Sequence, residues 1–311
     1  MVIPFALLVL AGIAAALAPR LLRLASWPDR EPVLALWVWQ CVVAAVLLCC
    51  LLAMTLSAAA AWHDVRRSLF APAPSDVVAV YGLGGGRWAA LLALALAGGG
   101  TWTGVMLVRE MWTARRQRRR RRAELRERAP RLPGEEGSRG PLVVLEGERP
   151  SVWWLADGAS GRLIITTGAL RRLKKRQLDA VLAHEHGHSR ARHHWLLYCA
   201  GALAAGFPGV PVFAAFRDEV HRLCELAADD VASRRFGRMT VASALVELNE
   251  DRGVFDPCSP FLAQVPQRVD RLLSHEPRLP WQQRLRVTAS ATLVPVVPLM
   301  VAFGPGLSAL A

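Results

Sequence analysis

The chain has 311 residues, 53% of them hydrophobic, and carries a formal net charge of +13. Its apolar residues gather into long uncharged runs beyond what an ordinary soluble domain holds, which argues against a purely water-soluble protein. The densest arginine run abuts an apolar segment and is not interleaved with aromatics, which argues against a nucleic-acid face and for a membrane surface.

A transmembrane helix needs about 20 apolar residues. The first candidate runs from Val2 to Ala18 and extends through Leu21 to Trp27. It has no positive n-region and so reads as an anchor, not as a cleaved signal. The second, Val33 to Trp62, is 30 residues without a charge. It lies in the same run as Cys41, Cys49 and Cys50, while Cys199, Cys224 and Cys258 are scattered without CxxC spacing. Neither a disulfide framework nor a cysteine zinc site is expected. The third, Trp88 to Val108, has Gly98, Gly99 and Gly100 at its centre, small enough for close helix contact.

Arg115, Arg116 and Arg118 to Arg122 follow, then Arg126, Arg128 and Arg131. Such a cluster stays on the cytoplasmic side, so the third segment runs inward. This places the N-terminus outside and residues 110–287 in the cytoplasm of a bacterial cell, anchored as a multi-pass protein of the inner membrane. The cluster also suits contact with anionic lipid. The expected organisation is a three-span region over 1–109, a basic juxtamembrane linker over 110–139, a cytoplasmic domain over 140–287 and a last span over 288–311. That last span, Thr288 to Ala311, contains Pro295, Pro298 and Pro305.

From Pro141 the pattern changes. Pro141–Glu146, Val152–Ala156 and Arg162–Thr167 read as short strands, the last two joined at Asp157–Gly161 as a hairpin. A helix starts near Lys175 and presents Leu178, Val181, Leu182 and Glu185 on one face.

That helix carries His184-Glu185-His186-Gly187-His188, an H-E-x-x-H pattern. Residues at i and i+4 share a helical face, so both imidazoles can reach one Zn²⁺ at about 2.0–2.1 Å. Glu185, beside the first ligand, is the candidate general base toward an activated water. His186 points away from that face, and a larger histidine site drawing on His193 and His194 is not expected. A catalytic site needs a third protein ligand, and Glu225 is the candidate, with Asp229 one turn on to orient an imidazole. Asp230 and Glu219 compete for these roles, and a solvated acidic helix face is the plain alternative. Trp195–Phe216 is apolar for 22 residues. A single crossing there would separate Glu225 from His184 across the bilayer. The break at Phe207-Pro208-Gly209-Val210-Pro211 favours two short helices that return.

Gly168-Ala169-Leu170, Leu178–Ala183 running into His184–His188, and Glu225–Asp229 together resemble the gluzincin membrane peptidases. Two branches compete: the antirepressor peptidases related to the beta-lactam sensor-transducers, and the prenyl-protein and heat-shock membrane endopeptidases. Three spans ahead of the motif favour the first. The resemblance implies an α-helical membrane protein bearing an α+β zinc peptidase domain, a short β-sheet with active-site helices. It implies His184, His188 and Glu225 as zinc ligands, Glu185 as base and Asp229 behind a ligand. It also implies that Val152, Trp153, Trp154 and Leu155 form an edge strand that pairs with substrate backbone. No S-x-x-K motif and no sensor domain are present, so beta-lactam sensing is not expected. The expected function is a zinc endopeptidase cutting a cytoplasmic or membrane protein in a regulatory step. Membrane-protein quality control, or a non-enzymatic zinc-binding scaffold, are the alternatives. The expected partners are a protein or peptide substrate and the bilayer, with self-association left open and nucleic acid not expected. Arg222, His221 and His275 are candidates for stabilising an oxyanion.

Overall fold

A computed structural model describes residues 2–61, 87–128, 142–155, 162–249, 264–274 and 277–308. The Asp157–Gly161 turn, Arg131, Cys258, His275 and the last three residues of the expected fourth span lie outside the described residues.

Helix α1 (Val2–Leu24), the short α2 (Trp27–Arg30) and α3 (Pro32–Ala61) form a helical hairpin. Helices that are apolar all round bury in a protein core or span a membrane. Val2–Leu24 and residues 32–58 are both long and apolar enough to cross one. Helix α4 (Arg87–Arg128) is continuous for 42 residues and carries both the expected third segment and the arginine run. Val108 is therefore not a structural boundary. The expected glycine contact exists at Gly100, where a Cβ would collide with Met54 Sδ of α3.

Three strands follow: β1 (Leu142–Leu145), β2 (Val152–Leu155) and β3 (Arg162–Thr166). The order is β1-β3-β2, with β1 parallel and β2 antiparallel to the central β3. Leu163, Ile164 and Ile165 of β3 are all buried, as a strand covered on both faces requires. Thr166 ties the sheet to the next helix, α5 (Thr167–Arg172). Its Oγ1 donates to Arg149 O at 2.9 Å and accepts from Ser151 N at 2.9 Å and from Ala169 N at 3.3 Å.

Helix α6 (Lys175–Arg190) opens where Gln177 Oε1 accepts from Lys174 N at 2.8 Å. Trp195–Phe216 is not one helix. Helix α7 (His193–Gly206) ends at Phe207, and α8 (Pro211–Phe236) begins on Pro211, where a missing N–H costs nothing. The first half of α8 is driven into the apolar hairpin: Phe213, Phe216, Val220 and Leu223 share one buried cluster with Leu7, Trp39 and Val43. The Trp39 and Phe216 rings lie 6.2 Å apart. The membrane-type helices and the helix that carries Glu225 thus have a common core.

Helices α9 (Arg238–Asn249) and α10 (Gln264–Leu273) pack on each other and cover α6 and α8. The last span, expected from Thr288, departs from expectation. Its helix α11 already starts at Trp281, ends at Leu293, and meets α12 (Val296–Ser308) at a bend of 47°. Pro295 explains the bend, because it removes a backbone donor and crowds the preceding turn.

Candidate metal centre

Helices α6 and α8 pack closely at Gly187, where an added Cβ would lie 3.4 Å from Val231 Cβ and 3.5 Å from Ala228 Cα of α8, in ordinary van der Waals contact. One face of α6 thereby meets one face of α8, and the residues that point across are His184 and His188 from one side and Glu225 and Asp229 from the other.

The ring nitrogens His184 Nε2 and His188 Nε2 are 3.1 Å apart. Glu225 Oε1 lies 3.4 Å from His188 Nε2, and Oε2 lies 3.6 Å from His184 Nε2. Ligand atoms of the three residues all fall within 4.8 Å of one another. Four ligands at about 2.05 Å in tetrahedral array stand about 3.3 Å apart, so this donor set fits a zinc ion. Two imidazoles and one carboxylate leave a fourth position for the reacting group.

Around these three, the ligand atoms are aimed by second partners. His184 Nδ1–H donates to Asp229 Oδ1 at 2.9 Å, which aims Nε2 toward Glu225. His188 Nδ1 lies 2.9 Å from Nδ1 of His193, a buried residue at the start of α7. For His188 to present its Nε2 lone pair, its Nδ1–H donates and neutral His193 accepts. The chain reverses for this at Arg192, whose φ of 52° lies in the left-handed region. Arg268 of α10 closes the rear wall. Its Nε and Nη2 bond the two oxygens of Asp229 at 2.8 and 2.7 Å, and its Nη1 lies 2.8 Å from Glu225 Oε2.

Burial by itself would lower the His184 pKa, but the Asp229 and Glu225 carboxylates outweigh it and raise the value to about 10. His188 goes the other way, to about 3, through burial and the neighbouring His184 charge. Burial also lowers His193. Asp229 is held down at about 2: burial opposes this, and Arg268 and His184 overcome it. Glu225 is depressed in the same manner. In the metal-free chain protonated His184 and Arg268 together balance the two carboxylates, and a divalent cation is suited to take the place of that proton.

Glu185 lines one cavity of about 180 Å³ together with His184, Glu225, Asp229 and Arg268. Val152 of β2 lines it too, with Val181, Val241, Leu245 and Leu248 as an apolar wall. Strand β2 lies at the edge of the sheet and pairs only with β3 among the described residues. The rivals for the third ligand lie elsewhere: Glu219 is 2.9 Å from Arg222 Nη2, and Asp230 is paired with Arg271 and Arg278. Neither His221 nor Arg222 lines the 180 Å³ cavity. Arg268 and the part played by His193 were not legible beforehand. His193 offered only proximity to the motif, and Arg268 offered no signal at all.

A model of peptidase family M48 matches residues 154–207, which span β3, α6 with its H-E-x-x-H, and α7. No curated protein and no solved structure gives a match. The family match and the His184–His188–Glu225 cluster support a membrane-associated metallopeptidase, of a family typically dependent on zinc.

Proposed function

We propose that this protein is a membrane-embedded zinc endopeptidase that cuts a cytoplasmic or membrane protein in a regulatory step. The convergence of His184, His188 and Glu225 on one point, with Glu185 in the same cavity, carries this reading. Zinc held there by those three residues would polarise the scissile carbonyl and acidify water. Glu185 takes a proton from the attacking water and returns it to the leaving amine. Asp229 and His193 keep the two imidazoles in the tautomer that exposes Nε2. The substrate backbone extends along the edge of β2 as an added strand over Val152–Leu155. The apolar wall of Val181, Val241, Leu245 and Leu248 favours an apolar side chain next to the cut.

The site is assigned to the cytoplasmic face of a bacterial inner membrane, in a chain of four spans. The arginine run of α4 supports this. Tyr198, five residues past His193, donates its hydroxyl to Met111 O, just ahead of Arg115. This contact brings the helix that follows the H-E-x-x-H motif up to the start of the arginine run, which supports a site on the same side of the membrane as that run. Three apolar segments ahead of the motif support the regulatory reading over general quality control.

The test is Glu185→Gln in the full chain, assayed on a quenched-fluorescent peptide library. Hydrolysis should fall by about 10²-fold or more, the scale of a lost general base, while elemental analysis still finds one zinc. Undiminished hydrolysis would overturn the reading.

A further inference from the structure

Arg268, which lines the metal ligands' own cavity, also lines a second cavity of about 700 Å³. Seven arginines face three aspartates in its lining, an excess of four positive charges. Some are matched. Arg222 is paired with Asp29 and Glu219, and Arg271 and Arg278 share Asp230. Counted over the described residues alone, with Arg268 set aside with its two carboxylates and Glu219 set against Arg222, the lining keeps a surplus of two positive charges, and Arg30 and Arg238 make further contacts. Among the described residues no carboxylate pairs with Arg234, whose side chain is exposed at this wall. Guanidinium groups crowded this way repel one another, and a concave surface concentrates their field on any anion that enters.

The position of the cavity narrows the anion. Ser26, Asp29 and Arg30 form part of its lining, and they belong to the link between α1 and α3. Those two helices are long and apolar enough to span a bilayer, α1 alone extending roughly 34 Å at 1.5 Å per residue. The link between them lies where headgroups lie. Guanidinium forks match phosphate oxygens two at a time, and Arg is the residue that reads such planar, bidentate geometry.

We infer that this arginine cavity binds a phosphate group, presented by an anionic phospholipid headgroup at the membrane surface. The site is separate from the peptidase chemistry, yet Arg268 joins the two, since it holds Glu225 and Asp229 and also lines this cavity. A bound headgroup would seat the metal centre at a set height above the lipid.

The test uses the full chain, purified in an uncharged detergent and stripped of lipid, with its thermal unfolding midpoint followed as ligand is added. Phosphatidylglycerol should raise the midpoint in a saturable way, and phosphatidylcholine should not. The double variant Arg234→Gln, Arg278→Gln should weaken that response about tenfold or more, as loss of charge-assisted hydrogen bonds requires, with its zinc content unchanged. An equal, arginine-dependent response to inorganic phosphate supports the phosphate site and assigns it to a soluble source. No response to either phosphate probe, a response unaltered in the double variant, or a response to an acidic peptide alone overturns the inference.

Discussion

Arg268 grips Asp229 with two parallel hydrogen bonds of 2.8 and 2.7 Å, across 39 residues of sequence, and Asp229 is 1% exposed. A carboxylate that deep is held charged by a guanidinium, and it spends its remaining capacity on His184. The metal centre therefore rests on an ion pair behind it.

Removing one partner of such a pair leaves a buried charge alone, at a cost of about 3 kcal/mol or more. Arg268→Gln should lower the unfolding midpoint of the metal-free chain markedly. Zinc should restore much of that loss, because a divalent cation compensates the same two carboxylates. An unchanged midpoint in the metal-free variant would show that the pair is not structural.

The ligands and their supports should separate by magnitude. Zinc affinity in Glu225→Ala should fall well beyond the roughly 10–100-fold expected when a supporting group is lost. Asp229→Asn and His193→Phe should fall within that range, and His194→Ala should leave affinity unchanged. Competition against a chelating dye reads all four. A Glu225→Ala protein that keeps stoichiometric zinc and cleaves peptide would remove Glu225 from the ligand set.

Zinc binding should release close to one proton near neutral pH. His184 is raised to about 10, so its Nε2 carries a proton at pH 7 that must leave, whereas His188 at about 3 has none to give. Affinity should then rise about tenfold per pH unit from 7 to 9. In the metal-free chain the linkage has the opposite sense. The folded value lies above the unfolded one of about 6.5, so the stability His184 contributes is full below pH 6.5 and is lost as pH climbs to 10. Calorimetry in buffers of different ionisation enthalpy counts the protons, and a count of zero would contradict the assignment.

Single-cysteine labelling at Ala123 and at Ala311 should report opposite sides of the membrane, with Ala123 reached from the cytoplasm. Equal accessibility of the two positions would defeat the four-span arrangement.

Much of the site was readable without coordinates because it depends on local spacing. His184, Glu185 and His188 occupy a single helix at i, i+1 and i+4, and Glu225 and Asp229 occupy another at i and i+4. Helical geometry turns those spacings into shared faces. The uncharged runs of α1 and α3, and the Phe207–Pro211 break that lets α8 return, are equally local, for proline and apolar composition act on the backbone where they stand. Other features were decided only when the chain closed on itself. Nothing in the 264–273 segment announces that Arg268 will cross to Asp229, since an arginine in an arginine-rich chain carries no spacing signal. His193 became the partner of His188 through one left-handed residue, Arg192, whose conformation a sequence pattern does not encode. The packing of Phe216 against Trp39 likewise joined the peptidase helix to the membrane-type hairpin, because burying apolar surface is non-directional and its partners are chosen by the whole fold.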